Sequence, residues 1–223
     1  MKIRFLGHSA FELTGADGTK ILIDPFLEGN PQAAIKPGEA SADYVVVTHA
    51  HGDHLGDTLK IAQRCGSLVI CVSELAAILT RQGCRTQGLK IGEGFEFPFG
   101  SVKLTPATHG STTPNGTEAG PATGALIRAD GLCIYHMGDT GLFKEIREIG
   151  EANAIDWLLI PIGGHYTMDS DDAVKVVEML RPRCAIPMHY NTWPVIKADP
   201  QKFCAKLQAL GVKCLVLKPG ESV

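Results

Sequence analysis

The segment Thr48-His49-Ala50-His51-Gly52-Asp53-His54-Leu55-Gly56-Asp57 constrains this chain more than any other stretch. Three histidines and an aspartate fall within six positions, directly behind the β-branched run YVVVT at 44–48. With only eight His in 223 residues, chance produces an H-x-H-x-D-H arrangement in about one of two thousand such chains. The run before it reads as a buried strand, so the fold must carry these polar side chains at the end of a sheet strand. Alternate residues of extended backbone point the same way, which lets His49 and His51 grip one metal ion. Asp53 and His54 follow the turn into a helix and can face a second ion. Imidazole with carboxylate suits Zn, Fe, Ni or Mn. A loop of solvated histidines is the competing reading, and it leaves the spacing unexplained.

Other potential ligands occupy matching places. His109 follows the predicted strand Val102–Ala107, Asp139 follows Leu132–His136, and His189 follows Cys184–Met188. Singly, each reads as an ordinary loop residue. Beside H-x-H-x-D-H they read as parts of one site, since sheet folds assemble sites from separate loops beyond strand ends.

The rest of the chain supplies the sheets. Strands are predicted at Lys2–Leu6, Ala10–Thr14 and Lys20–Asp24, with Gly15-Ala16-Asp17-Gly18 turning between the last two. Residues 25–42 contain Pro25, Gly29, Pro31, Pro37 and Gly38 and are expected to form a loop serving as lid or rim. After strand Tyr44–Thr48 come a helix Asp57–Arg64, a strand Leu68–Val72 and a helix Ser73–Gln82 with Ser73 as N-cap. Strands are then expected at Phe95–Phe97, Val102–Ala107, Gly124–Ala129 and Leu132–His136, the last two joined at Ala129-Asp130-Gly131. A helix Gly141–Ile149, a strand Trp157–Ile160, a helix Asp169–Leu180 and a strand Cys184–Met188 follow. Asp199-Pro200 opens a helix that stops at Gly211, before strand Cys214–Leu217. Sheet-forming segments and helices in both halves suit two sheets packed face to face with helices outside, in a single domain over 1–223.

Composition narrows the function. Twenty-one Lys plus Arg against 24 Asp plus Glu leave a net charge of −3, which argues against binding nucleic acid by bulk charge. No apolar run approaches the roughly 20 residues that cross a bilayer; the longest, Trp157–Ile162, is strand-sized. The opening MKIRFLGHSAFEL lacks the apolar core of an export signal. The seven cysteines are scattered without a C-x-x-C pair and are expected to be reduced, acting as small hydrophobes. A cytoplasmic protein is expected.

The ordered set His49, His51, Asp53, His54, His109, Asp139 and His189 resembles the ligand pattern of the metallo-β-lactamase superfamily. The stretches GHSAF (7–11), THAHGDHLGD (48–57), GDTGLF (138–143) and PIGGHYTMD (161–169) resemble its bacterial and archaeal metal-dependent hydrolases, near the ascorbate-6-phosphate lactonases. This resemblance implies an α/β (α+β) fold, the four-layer αββα sandwich, with the site at the edge of two sheets. It implies two divalent metal ions, Zn foremost, with Mn, Ni or Fe as alternatives. His49, His51 and His109 would hold the first ion, Asp53, His54 and His189 the second, with Asp139 bridging. The implied reaction is hydrolysis of a small polar ester, lactone or phosphoester by a metal-bridging hydroxide. The metals would neutralise the oxyanion, and Asp53 would orient the hydroxide or accept a proton.

Two alternatives carry other expectations. A phosphodiesterase or nuclease of the same superfamily would want a basic patch or a long inserted domain; the ligands fill the chain from 49 to 189 and leave no room for one. A non-catalytic metal-binding interaction module would have lost ligands, and all seven are present. The expected partner is a small-molecule substrate, with no nucleic acid and no membrane; a homo-oligomer is compatible with the sequence.

Three histidines remain. His165, after Gly163-Gly164, resembles a feature of that branch near the pocket and is expected to protonate a leaving group or hold an anionic one, the glycines permitting close approach by a ligand. His8 ends the first strand and is expected to reach the same rim as a second catalytic candidate. His136 lies inside a strand and reads as a satisfied core or supporting residue. Asp24 and Asp57 are each placed to orient a ligand histidine. Asp169, Asp171 and Asp172 read as a helix cap.

Overall fold

Each half of the chain builds one sheet. In the computed structural model, which describes residues 1–223, β1 (Lys2–Gly7), β2 (Ala10–Thr14) and β3 (Lys20–Ile23) form an antiparallel meander. β4 (Tyr44–Val46), β5 (Leu68–Val72) and β6 (Arg85–Leu89) extend it in parallel and in sequence order. The short helix α1 (Gly52–Leu55) with α2 (Thr58–Cys65) and then α3 (Ser73–Arg81) make the crossovers. The second sheet repeats this logic. β7 (Gly94–Phe97), β8 (Gly100–Pro106), β9 (Thr123–Ala129) and β10 (Leu132–His136) are antiparallel; β11 (Trp157–Pro161), β12 (Cys184–Met188) and β13 (Lys213–Cys214) continue in parallel. Between these strands run α4 (Ile146–Ala152), α5 (Ser170–Leu180), a 3-10 turn at Pro194–Ile196, and α6 (Pro200–Ala209).

Side-chain alternation makes the layers. Ile134 and Leu159 join Phe11, Leu13, Val45 and Ile70 in the core between the sheets. Their neighbours Tyr135, Leu158 and Ile160 face the other way and pack with Val176, Val177 and Phe203 of α5 and α6. The inner parallel strands β5, β11 and β12 are buried on both faces, which explains their unbroken apolar runs. Helices α2 and α3 cover the first sheet. The result is the expected helix–sheet–sheet–helix sandwich. Residues 220–223 run along the outer edge of β1, where Ile3 and Val223 exchange both backbone bonds at 2.8 and 2.9 Å, and so shield an otherwise open edge. No helix is long and apolar enough to cross a membrane.

Local chemistry fixes most helix starts. The Asp169 carboxylate accepts the N–H groups of Asp171 and Asp172 at 2.9 Å, as a cap should. Asp199 does the same for Gln201 and Lys202, with Pro200 at the first helical position. Ser73 departs from expectation: it is the first residue inside α3, and its hydroxyl donates to the Leu89 carbonyl instead of capping the helix. α4 begins at Ile146 because the Gly141 N–H is tied to the Thr108 carbonyl, leaving 141–145 outside the helix. β6 is absent from the sequence reading, and β13 is shorter than Cys214–Leu217. The cysteines also require a correction. Cys204 of α6 and Cys214 of β13 form a disulfide, their Cα atoms 5.2 Å apart, because the turn at Gly211 folds β13 back on the helix. The other five are free.

Candidate metal centre

Loops beyond the carboxyl ends of β4, β8, β10 and β12 converge at one edge of the sandwich, together with the tight turn between β1 and β2. They bring together all seven ligand candidates and His8. His51 Nδ1 lies 3.1 Å from both His49 Nε2 and His109 Nε2. Across from this trio, His54 Nε2 is 3.1 Å from Asp139 Oδ1, and His189 Nε2 is 3.0 Å from Asp139 Oδ2. Asp139 also reaches the first trio, with His109 Nε2 3.5 Å from Oδ2. Asp53 Oδ2 lies 3.2 Å from His8 Nε2, 3.8 Å from His189 Nε2 and 4.0 Å from His54 Nε2.

The backbone is specialised to hold this cluster. Gly138, at φ +61°, places Asp139; a Cβ there would sit 2.5 Å from the Thr123 carbonyl oxygen. At Gly163 a Cβ would lie 2.3 Å from the His189 carbonyl oxygen. The glycine therefore admits the His189 backbone, and not a ligand as the sequence suggested. His8 and His189 both adopt positive φ, and the His189 N–H donates to the His8 carbonyl at 2.8 Å.

Buried partners fix the ring orientations. Asp24 accepts from Thr48 N–H and Thr48 Oγ1, at 2.8 and 2.6 Å, and from His54 Nδ1 at 2.7 Å. With its hydroxyl proton so engaged, Thr48 accepts from His49 Nδ1 at 3.1 Å, which leaves the His49 Nε2 lone pair facing the centre. His136 donates from Nε2 to the Ser9 carbonyl and accepts the Gly138 N–H at Nδ1, supporting the turn that carries Asp139. Asp57 does something other than expected. It accepts the Leu27 and Glu28 N–H groups and touches no ligand histidine; it pins the loop that follows Pro25. His8 is fully buried and not on the rim; it packs its ring 4.1 Å from that of His189 and bonds Thr192 Oγ1 at 2.7 Å.

Electrostatics divide the cluster. Burial opposes charge at His54, yet Asp139 and Asp24 outweigh it and hold that imidazole well above the usual histidine range. His189 is raised to about 9, burial again being overcome by Asp139. His189 and His54 hold Asp139 well below the carboxylate range against burial, and the neighbouring His189 and His8 imidazoles do so for Asp53. Burial wins at His8, lowered to about 4, and at His49, lowered well below its ordinary value.

Metal ions fit these residues. His54 Nε2, Asp139 Oδ1 and both ring nitrogens of His189 are buried without a hydrogen-bond partner. The 3.1 Å approach of His54 to Asp139 is an ion contact without hydrogen-bond alignment. An unpaired buried polar group costs about 1–3 kcal/mol, and here several meet at one point. The potential donor atoms fall into groups, His49/His51/His109, His49/His54/Asp139 and His8/Asp53/His54/His189, each within 4.8 Å. Nitrogen-rich donors with one or two carboxylates are the chemistry of transition-metal sites.

Above the cluster opens a cleft of about 650 Å3. His51, Asp53, His109 and Asp139 reach it from below, and Phe26, Tyr166, Trp193 and Val195 wall it. Phe26 comes from the loop expected to form a rim. Trp193 and Val195 carried no sequence signal, since isolated aromatic and aliphatic residues in loops have no pattern to read. His165 is exposed beside Tyr166, its ring 4.5 Å from the phenol, and does not line the cleft.

Comparisons with known proteins agree with this architecture. Residues 2–189 match the model of the beta-lactamase superfamily domain. A UPF0173 metal-dependent hydrolase of Carboxydothermus hydrogenoformans is 53% identical over 225 residues, covering 100% of this chain and 99% of the relative. Its counterpart in Archaeoglobus fulgidus is 45% identical over 228 residues, with 100% and 98% covered. Among solved structures, the metallo hydrolase Igni18 of the hyperthermophilic archaeon Ignicoccus hospitalis superposes with a TM-score of 0.92 at 42% identity, covering 100% of this chain and 97% of that one. An isothiocyanate hydrolase from Delia radicum gut bacteria shares the fold, with a TM-score of 0.77 at 22% identity and coverage of 100% and 98%. A histidine–aspartate cluster at the sheet edge and similarity along the entire length lead to one assignment: the chain belongs to the beta-lactamase superfamily, within its UPF0173 metal-dependent hydrolases.

Proposed function

We propose that the cluster holds two divalent metal ions, Zn foremost, and hydrolyses a small ester, lactone or phosphoester. His49, His51 and His109 would bind one ion, Asp53, His54 and His189 the other, and Asp139 both. The observation that carries this reading is the position of Asp139, between 3.0 and 3.5 Å from histidine nitrogens of both groups. When bound, such ions supply ionised water at neutral pH and positive charge against a developing oxyanion. The chain's own residues do the rest. Asp53, half-buried and held ionised by His189 and His8, faces the cleft and is placed to take a proton from the attacking water and pass it to the leaving oxygen. His8 steadies Asp53 from beneath, and Thr192 fixes the His8 ring. Asp24 and Thr48 keep His54 and His49 turned inward. His165, exposed beside Tyr166 and absent from the cleft lining, is assigned no step.

The test is the double variant His49→Ala/His51→Ala assayed on generic nitrophenyl esters and phosphodiesters. The reading expects metal-dependent turnover to vanish in a folded protein. Full activity in that variant would sink it.

A further inference from the structure

The walls of the cleft carry information that the metal cluster does not. Phe26, Tyr166, Trp193 and Val195 form them, and no lysine or arginine lines the cleft. The charged side chains that reach it are the carboxylates Asp53 and Asp139. Tyr166 and Val195 stand 54% and 48% exposed, so this wall offers apolar surface to whatever enters the cleft. The aromatic wall is also built rather than loose. Trp193 packs edge-on to His8 with ring centroids 4.9 Å apart and sits 6.1 Å from Phe26. Phe26 rides on the loop that Asp57 pins through the Leu27 and Glu28 N–H groups. A second layer of polar residues therefore holds an apolar surface in place over the reacting centre.

Charge and size then select a ligand. Phosphate or carboxylate groups away from the reacting atom are normally met by Arg, Lys or a row of backbone N–H groups. Here such a group, held away from the metal cluster, would be desolvated against indole and phenyl rings with no lysine or arginine beside it, which is costly. A neutral aromatic or branched aliphatic group gains by the same burial, and aromatic pairing adds to it. The volume suits a small molecule and not a polymer.

We propose that this cleft selects a small uncharged ester or lactone bearing an aromatic or branched aliphatic group, and discriminates against phosphorylated substrates. The inference rests on the hydrolase reading above and narrows it. In the reaction, water oxygen bonds the acyl carbon, the acyl C–O bond breaks, and the two water protons end on the new acid and the leaving alcohol; no redox partner is needed.

Two matched pairs of probes separate this inference from the reading beneath it. Binding to the metal-loaded protein is followed by ligand-observed NMR with phenylacetamide and its ring-phosphorylated counterpart. Turnover is followed with p-nitrophenyl phenylacetate and its ring-phosphorylated counterpart. The neutral member of each pair is expected to be preferred by about tenfold or more, and Trp193→Ala to erase about tenfold of that preference, chiefly through binding and KM. Tyr166→Ala, at a half-exposed loop position, is expected to act in the same direction without risk to the fold. Tighter binding or faster turnover of the phosphorylated member overturns the cleft assignment while leaving the hydrolase standing. Binding of the neutral probe that neither variant weakens also overturns it. Neutral binding that both variants weaken, with no hydrolysis of either ester, supports the cleft assignment and counts against the hydrolase.

Discussion

Asp24 organises this site across a long stretch of chain, in the orienting role its sequence position suggested. Thirty residues separate it from His54, yet its carboxylate is buried against the His54 ring and the Thr48 hydroxyl, and so orients both His54 and His49. Asp24→Asn keeps the shape, and asparagine tolerates the φ of +45° found there. The charge-assisted bond is lost, so metal affinity should fall about 10- to 100-fold while the fold survives; competition with a chromogenic chelator measures it. A second expectation concerns protons. Without metal, His54 and His189 are held charged at neutral pH, His189 at about 9. Metal binding requires them neutral, so loading at pH 7 should release about one proton or more per chain. Calorimetry in buffers of different ionisation enthalpy reads this number, and zero release would contradict the assigned ligands. H-x-H-x-D-H was legible because its spacing is local. Asp24 was also expected to orient a ligand histidine, and its bond to His54 bears this out; the burial of His8 and the different task of Asp57 arise from long-range contacts, which spacing does not encode.

At the scale of elements, the loop between β3 and β4 matters most. Its composition marked it as a rim, and Phe26 does line the cleft, but nothing in its sequence says that Asp57 fastens it from the start of α2. Asp57→Ala strands two backbone N–H groups and frees that wall. Unfolding in urea should show a loss of about 1–3 kcal/mol, and KM should rise more than kcat falls, because no metal-cluster residue moves. Strands with β-branched runs, such as β5, and helices with aspartate caps, such as α5 and α6, were legible from local chemistry alone. β6 was not. RTQGL is polar and contains a glycine, and it becomes a strand because β5 offers it a parallel edge. Gly88 within it has a packing reason, since a Cβ there would approach Ser73 Cα at 3.0 Å.

Over the whole molecule, the two halves each present an antiparallel and a parallel portion, and their packing places loops from both at one edge. First-half residues His49, His51, Asp53 and His54 thus meet second-half residues His109, Asp139 and His189. The sandwich was foreseeable from apolar strands and helices in both halves together with the family pattern. The cleft walls were not, because their residues come from three separate loops and acquire meaning only by proximity. Metal stoichiometry tests the central claim most directly. Protein purified without added metal or chelator, analysed by inductively coupled plasma mass spectrometry, should carry about two equivalents of transition metal per chain, lost in His49→Ala/His51→Ala. A wild-type protein that arrives without metal, and takes up neither Zn, Mn, Ni nor Fe on titration, would contradict the account.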